Sequence, residues 1–116
     1  MKTAELVGPA LDWAVAEADG LRPYPHKGGF WVLDGKTNAP LPKFSTDWAH
    51  GGPLIELFIG AVSGPTPARE YSIACIKGDT NPVRGGSMLI AACRAIVSAK
   101  LGDVVQVPAE LLGVAA

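Results

Sequence analysis

Long apolar runs are missing from this chain, because charged or turn-forming residues interrupt every hydrophobic stretch. None approaches the roughly 20 residues that a membrane span requires. The first twenty residues carry Glu5, Gly8, Pro9 and Asp12 where a secretory leader would be continuous. Neither a membrane protein nor an exported one is expected, and the expected location is the cytoplasm. Cysteine is scarce too: Cys75 and Cys93 are too few for a disulfide scaffold and lack the paired spacing of a zinc site. Lying among apolar neighbours, both read as free thiols that behave as small hydrophobes. With His26 and His50 the only histidines, no metal site and no cofactor is indicated. No sign of charge dominates, since 10 Lys and Arg stand against 11 Asp and Glu. The basic residues are scattered singly from Lys2 to Lys100, which argues against a nucleic-acid partner. The nucleophile elbow, the P-loop and the dinucleotide fingerprint are all absent.

What remains is the composition of a globular chain, 48% hydrophobic and 18% charged over 116 residues, and a single domain spanning 1–116 is expected. Leu6, Ala10, Leu11, Ala14 and Ala18 recur at helical spacing, with Asp12, Glu17 and Asp19 off that stripe. Pro9 costs ~3 kcal/mol inside a helix, so this one should either kink there or begin its regular part at Pro9, with Gly20 as its stop. A second, shorter helix fits Gly52-Pro53 followed by Leu54, Ile55, Leu57, Phe58 and Ile59. It has Pro at its first position and is apolar almost all round, hence buried on more than one side. The third runs from Met88 to Leu101, capped by Ser87 and stopped by Gly102. Its inward stripe reads as Leu89, Ala92, Cys93, Ile96 and Ala99, and its many alanines suit a helix in the middle of a fold.

Between these helices the chain is turn-rich, and four of its ten prolines fall between Leu21 and Pro42. Only Phe30 to Leu33 reads there as a strand, closed by a turn at Asp34-Gly35. Its best partner is Tyr71 to Ile76, rich in β-favouring residues. Val104 to Val107 reads as a third strand before Pro108, with one final turn over Ala109 to Leu112. The expected architecture is α+β: two main helices and a short one packed on a small antiparallel sheet.

Three segments carry a resemblance to a known family. ELVGPALDWAVAEADG, STDWAHGGPLIE and AACRAIVSAKLGDVVQVPAEL, in that order, resemble the small phage and prophage proteins of the NinX-like family. Trp-Ala followed by Gly-Pro-hydrophobic-Ile and a later Ala-Ala-x-Arg helix are the shared features. The resemblance implies a phage or prophage origin, hence a bacterial host cytoplasm, and carries no catalytic residue over.

The densest cluster of informative residues is Ser45 to Glu56. Asp47-Trp48-Ala49 repeats Asp12-Trp13-Ala14, either as paired indole faces with acidic edges or as a cap beside core tryptophans. Ser45, Thr46, Asp47 and His50 hold the residue types of a nucleophilic triad, yet the same types make ordinary helix-capping chemistry. Arg84-Gly85-Gly86-Ser87, before a helix start, reads as a plain capped loop or as an anion cradle. Arg94, on an otherwise small and apolar helix, needs a partner, for which Asp47 or Glu56 is the expectation. The favoured function is non-enzymatic: binding of a host or phage protein through the surface from Trp48 to Ile55, with Asp47, His50, Pro53, Arg84 and Arg94 as further candidates. The alternative is a small-molecule or anion-binding protein, conceivably an enzyme, using His50, Arg94 and the Arg84 loop. The two differ in shape: a concave pocket with convergent polar groups for the second, an exposed apolar patch for the first.

Overall fold

A computed structural model describes residues 1–26, 28–34, 37–108 and 111. After a short 3-10 helix at Thr3–Glu5 comes α1 (Gly8–Ala18), then β1 (Tyr24–His26), β2 (Gly29–Asp34) and β3 (Thr37–Pro40). Next are α2 (Trp48–Phe58), β4 (Ile59–Ser63), β5 (Ser72–Ile76), β6 (Val83–Gly85) and α3 (Met88–Leu101). The architecture is α+β, with the strands in two three-stranded antiparallel sheets, ordered β1-β2-β3 and β4-β5-β6.

Two sheets replace the one expected. Phe30–Leu33 lies in β2 as read, but pairs with its own flanks and not with the Tyr71–Ile76 segment, which forms β5 between β4 and β6. The reason is where the prolines sit. Pro25 and Pro40 occupy β1 and β3, both edge strands, where the missing N–H can face outward without breaking a ladder bond. Val104–Val107 is not a strand of either sheet. The chain start is stitched there instead, through the bridge Lys2↔Val104 and the bonds Thr3 N to Asp103 O (2.8 Å) and Val105 N to Met1 O (3.0 Å). The expected turn at Asp34-Gly35 and the final turn over Ala109–Leu112 fall largely outside the described residues; Leu111 is within them, and its N–H donates to Pro108 O.

Helix α1 begins one residue ahead of Pro9, which sits in its first turn, and ends before Gly20 at φ 80°. Helix α2 starts five residues ahead of Pro53, not at it: Asp47 caps it by accepting from Ala49 N (2.9 Å), so Pro53 lies inside the helix. It buries only Gly51 and Leu54, and its far face is open, contrary to the expectation of burial on several sides. Helix α3 has the expected ends, with Ser87 Oγ accepting from Ile90 N (3.1 Å) and Gly102 at φ 94°.

Helix α3 is the element the others surround. It packs on α1 and α2 on one side and on β4, β5 and β6 on the other. Leu89, Ala92, Cys93 and Ile96 are buried as read, but so are Ala91, Ala95 and Val97, so the buried surface extends well round the helix. Ala99 is exposed, because packing ends before the helix does. Such enclosure needs close backbones. A Cβ on Gly85 would stand 2.3 Å from Ala91 N, and one on Gly51 would stand 2.3 Å from Phe44 O and 2.7 Å from Leu89 Cδ2. Cys93 is held in this interior, where burial first and the charge of Asp12 second push its thiol up to about 12.

The two adjacent glycines Gly85 and Gly86 make an internal control, since a Cβ on Gly86 meets nothing within 4 Å. Gly85→Ala should destabilise by about 3 kcal/mol or more, the upper end for overpacking, while Gly86→Ala stays within about 1 kcal/mol. Chemical denaturation of both variants checks this; equal effects would mean that β6 and α3 are not in backbone contact.

Candidate functional site

The residues singled out in the sequence do not converge. Asp47, Trp48 and His50 share the start of α2, with Pro53 one turn on, whereas Arg84 and Arg94 lie together beside the chain start. The Arg94 expectation needs correction. Its Nε donates to Leu6 O (2.9 Å) and its Nη1 to Arg84 O (3.1 Å), so two backbone carbonyls, and neither Asp47 nor Glu56, receive the guanidinium. Burial draws its pKa down. Arg84 lies over the Tyr71 ring at 4.4 Å, with Arg69 over the same ring at 5.5 Å.

The triad residue types point in different directions. Ser45 turns into the core, His50 Nδ1 accepts from Lys43 N (3.0 Å), and Asp47 is the α2 cap, 3.7 Å from His50. Trp13 packs partly buried against the core, while Trp48 is 52% exposed. The repeated tripeptide therefore serves two ends, one indole for packing and one at the surface.

Among the described residues the buried carboxylate is Asp12, which lies off the apolar stripe of the sequence. It is 5% exposed, and its Oδ1 accepts from both Ser45 N (2.8 Å) and Ser45 Oγ (2.7 Å). Desolvation raises its pKa, against the two Ser45 bonds and the charges of His50 and Lys43, which lower it. The pair fastens the middle of α1 to the segment leading into α2. No local signal marks it, because the partner is 33 residues away.

Asp12 also lines a concavity of about 680 Å³ between the first turn of α1 and the β1-β2-β3 sheet. Phe30, Trp31, Pro9 and Leu41 give it an apolar wall, and His26, whose ring meets Trp31 edge-on at 5.0 Å, stands with Lys43 and Thr46 as its polar groups. Its size is that of a small-molecule pocket. A second concavity, a groove of about 530 Å³, runs between Trp48 and the first turn of α3. Among the described residues no group of three or more His, Cys, Asp or Glu could hold a metal ion, and no helix is long and apolar enough to cross a membrane.

The exposed face of α2 completes the inventory. Ala49, Pro53, Glu56 and Leu57 lie three or four residues apart and are exposed, Leu57 by 63%. Both shapes that distinguish the two functional readings are thus present, on different parts of the molecule.

A protein-family model described as Bacteriophage P22, NinX matches residues 2–100, from the chain start to the last turn of α3. A search of curated proteins found no match.

Asp12 generates a test with a defined sign. Its folded-state pKa lies above the ordinary aspartate value of 3.8, so the fold favours the protonated acid and loses stability as pH rises from about that value through the raised pKa. Asp12→Asn keeps an acceptor for Ser45 and removes the titration. Its stability relative to the parent should grow between pH 4 and pH 7, whereas Asp12→Ala strands the Ser45 donors and should cost about 1–3 kcal/mol. Thermal melts across that range check it; a parent that gained on Asp12→Asn with rising pH would reverse the assignment.

Proposed function

The chain belongs to the bacteriophage P22 NinX family, and on that premise we propose that it is a phage accessory protein that works by binding another protein through α2. The observation that carries this reading is Trp48. A half-exposed indole at the first turn of a capped helix is rigid, presents a large apolar area and has little entropy to lose on docking. Behind it, Ala49, Pro53 and Leu57 extend the apolar surface along one side of α2, and Glu56 with Asp47 and His50 supplies polar groups around it. Gly51 and Leu54 hold the opposite side against the core. The partner is a host or phage protein met in the bacterial cytoplasm.

A second reading is favoured by one observation, the 680 Å³ pocket in which the buried Asp12 carboxylate meets His26, Lys43 and an aromatic wall. It supports capture of a small, flat ligand. It does not involve Arg84 or Arg94, which lie elsewhere.

Affinity capture from phage-infected cells tests the docking reading. Trp48→Ala should leave the melting temperature within a few degrees of the parent, since the indole is half outside the fold, and should weaken retention of the partner by about 30-fold, the loss of a hot-spot tryptophan. A partner held equally by parent and folded Trp48→Ala would rule out α2 as the docking face.

A further inference from the structure

The groove between α2 and α3 holds a group the fold leaves unsatisfied. Ser72 is completely buried, and its Oγ has no hydrogen-bond partner. It opens β5 on the same face as Ala74, the face that packs on α3, and it pairs with Gly85, which abuts the α3 backbone at Ile90 and Ala91. The hydroxyl therefore lies beneath the first turn of α3, and Ser72 lines the groove.

The same turn offers more donors. In the first turn of any helix the backbone N–H groups lack intrahelical acceptors. Here Ser87 Oγ takes only the N–H of Ile90. Those of Met88 and Leu89, both in the groove wall, have no acceptor among the described residues. The positive end of a 14-residue helix thus meets a buried, unpartnered hydroxyl. Nearby charge has the matching sign. The Arg69 guanidinium grips Gly64 O (2.7 Å) in the opposite wall, and Arg84 lies over Tyr71, the neighbour of Ser72. Asp47, the carboxylate next to Trp48, is already engaged with Ala49 N. At the outer rim stands the Trp48 indole, a stacking surface.

The geometry points to an oxyanion site: this groove binds a phosphate or carboxylate carried on a flat ring, with the anion on the N–H groups of Met88 and Leu89 and the hydroxyl of Ser72, and the ring on Trp48. The inference goes beyond the docking reading and does not depend on it, although Trp48 serves both.

Amide spectra of the ¹⁵N-labelled chain test it, titrated separately with uridine monophosphate, benzoate, orthophosphate and uridine. The expected result is saturable movement of the Met88 and Leu89 amides and of one indole N–H with uridine monophosphate or benzoate, whichever of them saturates identifying the anion. Orthophosphate should move the two amides alone, and uridine neither. Ser72→Ala should lower the affinity for the ring-bearing anion at least about tenfold, the loss of one hydrogen bond to a charged group, with the melting temperature unchanged or higher because an unsatisfied polar atom is gone. No saturable movement of the Met88 and Leu89 amides with any anion, or equal affinity in folded Ser72→Ala, would overturn the site. Neither outcome bears on protein capture by α2, which is read separately.

Discussion

Helix α3 meets β6 across Gly85, where a Cβ would stand 2.3 Å from the Ala91 nitrogen, and this approach of one backbone to another sets the position of most other elements. With β6 that close, the small side chains Ala91 and Ala95 share the buried face of the Gly85 contact, and Ala92, Cys93, Ile96 and Val97 are buried farther round the helix. Gly51 repeats the device on the other side, letting α2 come down on Leu89 and the Phe44 carbonyl. A helix enclosed this way cannot shift by half a turn without driving a side chain into backbone.

Both candidate surfaces inherit their shape from that enclosure. Because α2 is anchored through Gly51 and Leu54, with Ile55 and Phe58 partly buried against the core, its opposite face stays open, and Trp48 is carried to the lip of the groove above the start of α3. The Asp12 and Ser45 pair does the complementary work on the other flank, tying α1 to the segment before α2 and leaving one wall of the larger pocket with a buried carboxylate. A buried carboxylate with two donors specifies one register of that segment against α1, because a shift in either direction strands all three groups.

Features that depend on neighbours in sequence were legible. Ser87 and Gly102 delimit α3, Asp47 caps α2, Gly20 ends α1, and the α+β class follows from the helical stripes with β-favouring runs between them. Features that depend on distant partners were not. Asp12 looks solvent-facing until Ser45 arrives beside it, and Arg94 invites a carboxylate because the carbonyls of Leu6 and Arg84 leave no mark on side-chain sequence. Pro25 and Pro40 argue against strands in general, yet both sit on sheet edges, where the objection lapses. At the candidate site, Trp48 was legible as an indole within the dense Ser45 to Glu56 cluster; Ser72 was not, since a lone serine opening a strand gives no sign that its hydroxyl lacks a partner.

Amide hydrogen exchange at single-residue resolution tests the central role of α3 most directly. The amides of Ala92 to Val97 should be the slowest in the chain and exchange only through global unfolding, together with those of β5. The amides of β2, in the sheet that lies apart from α3, should exchange through smaller openings of lower free energy. Protection in β2 equal to that in α3, or exchange of the α3 amides through local openings, would contradict a fold built around that helix.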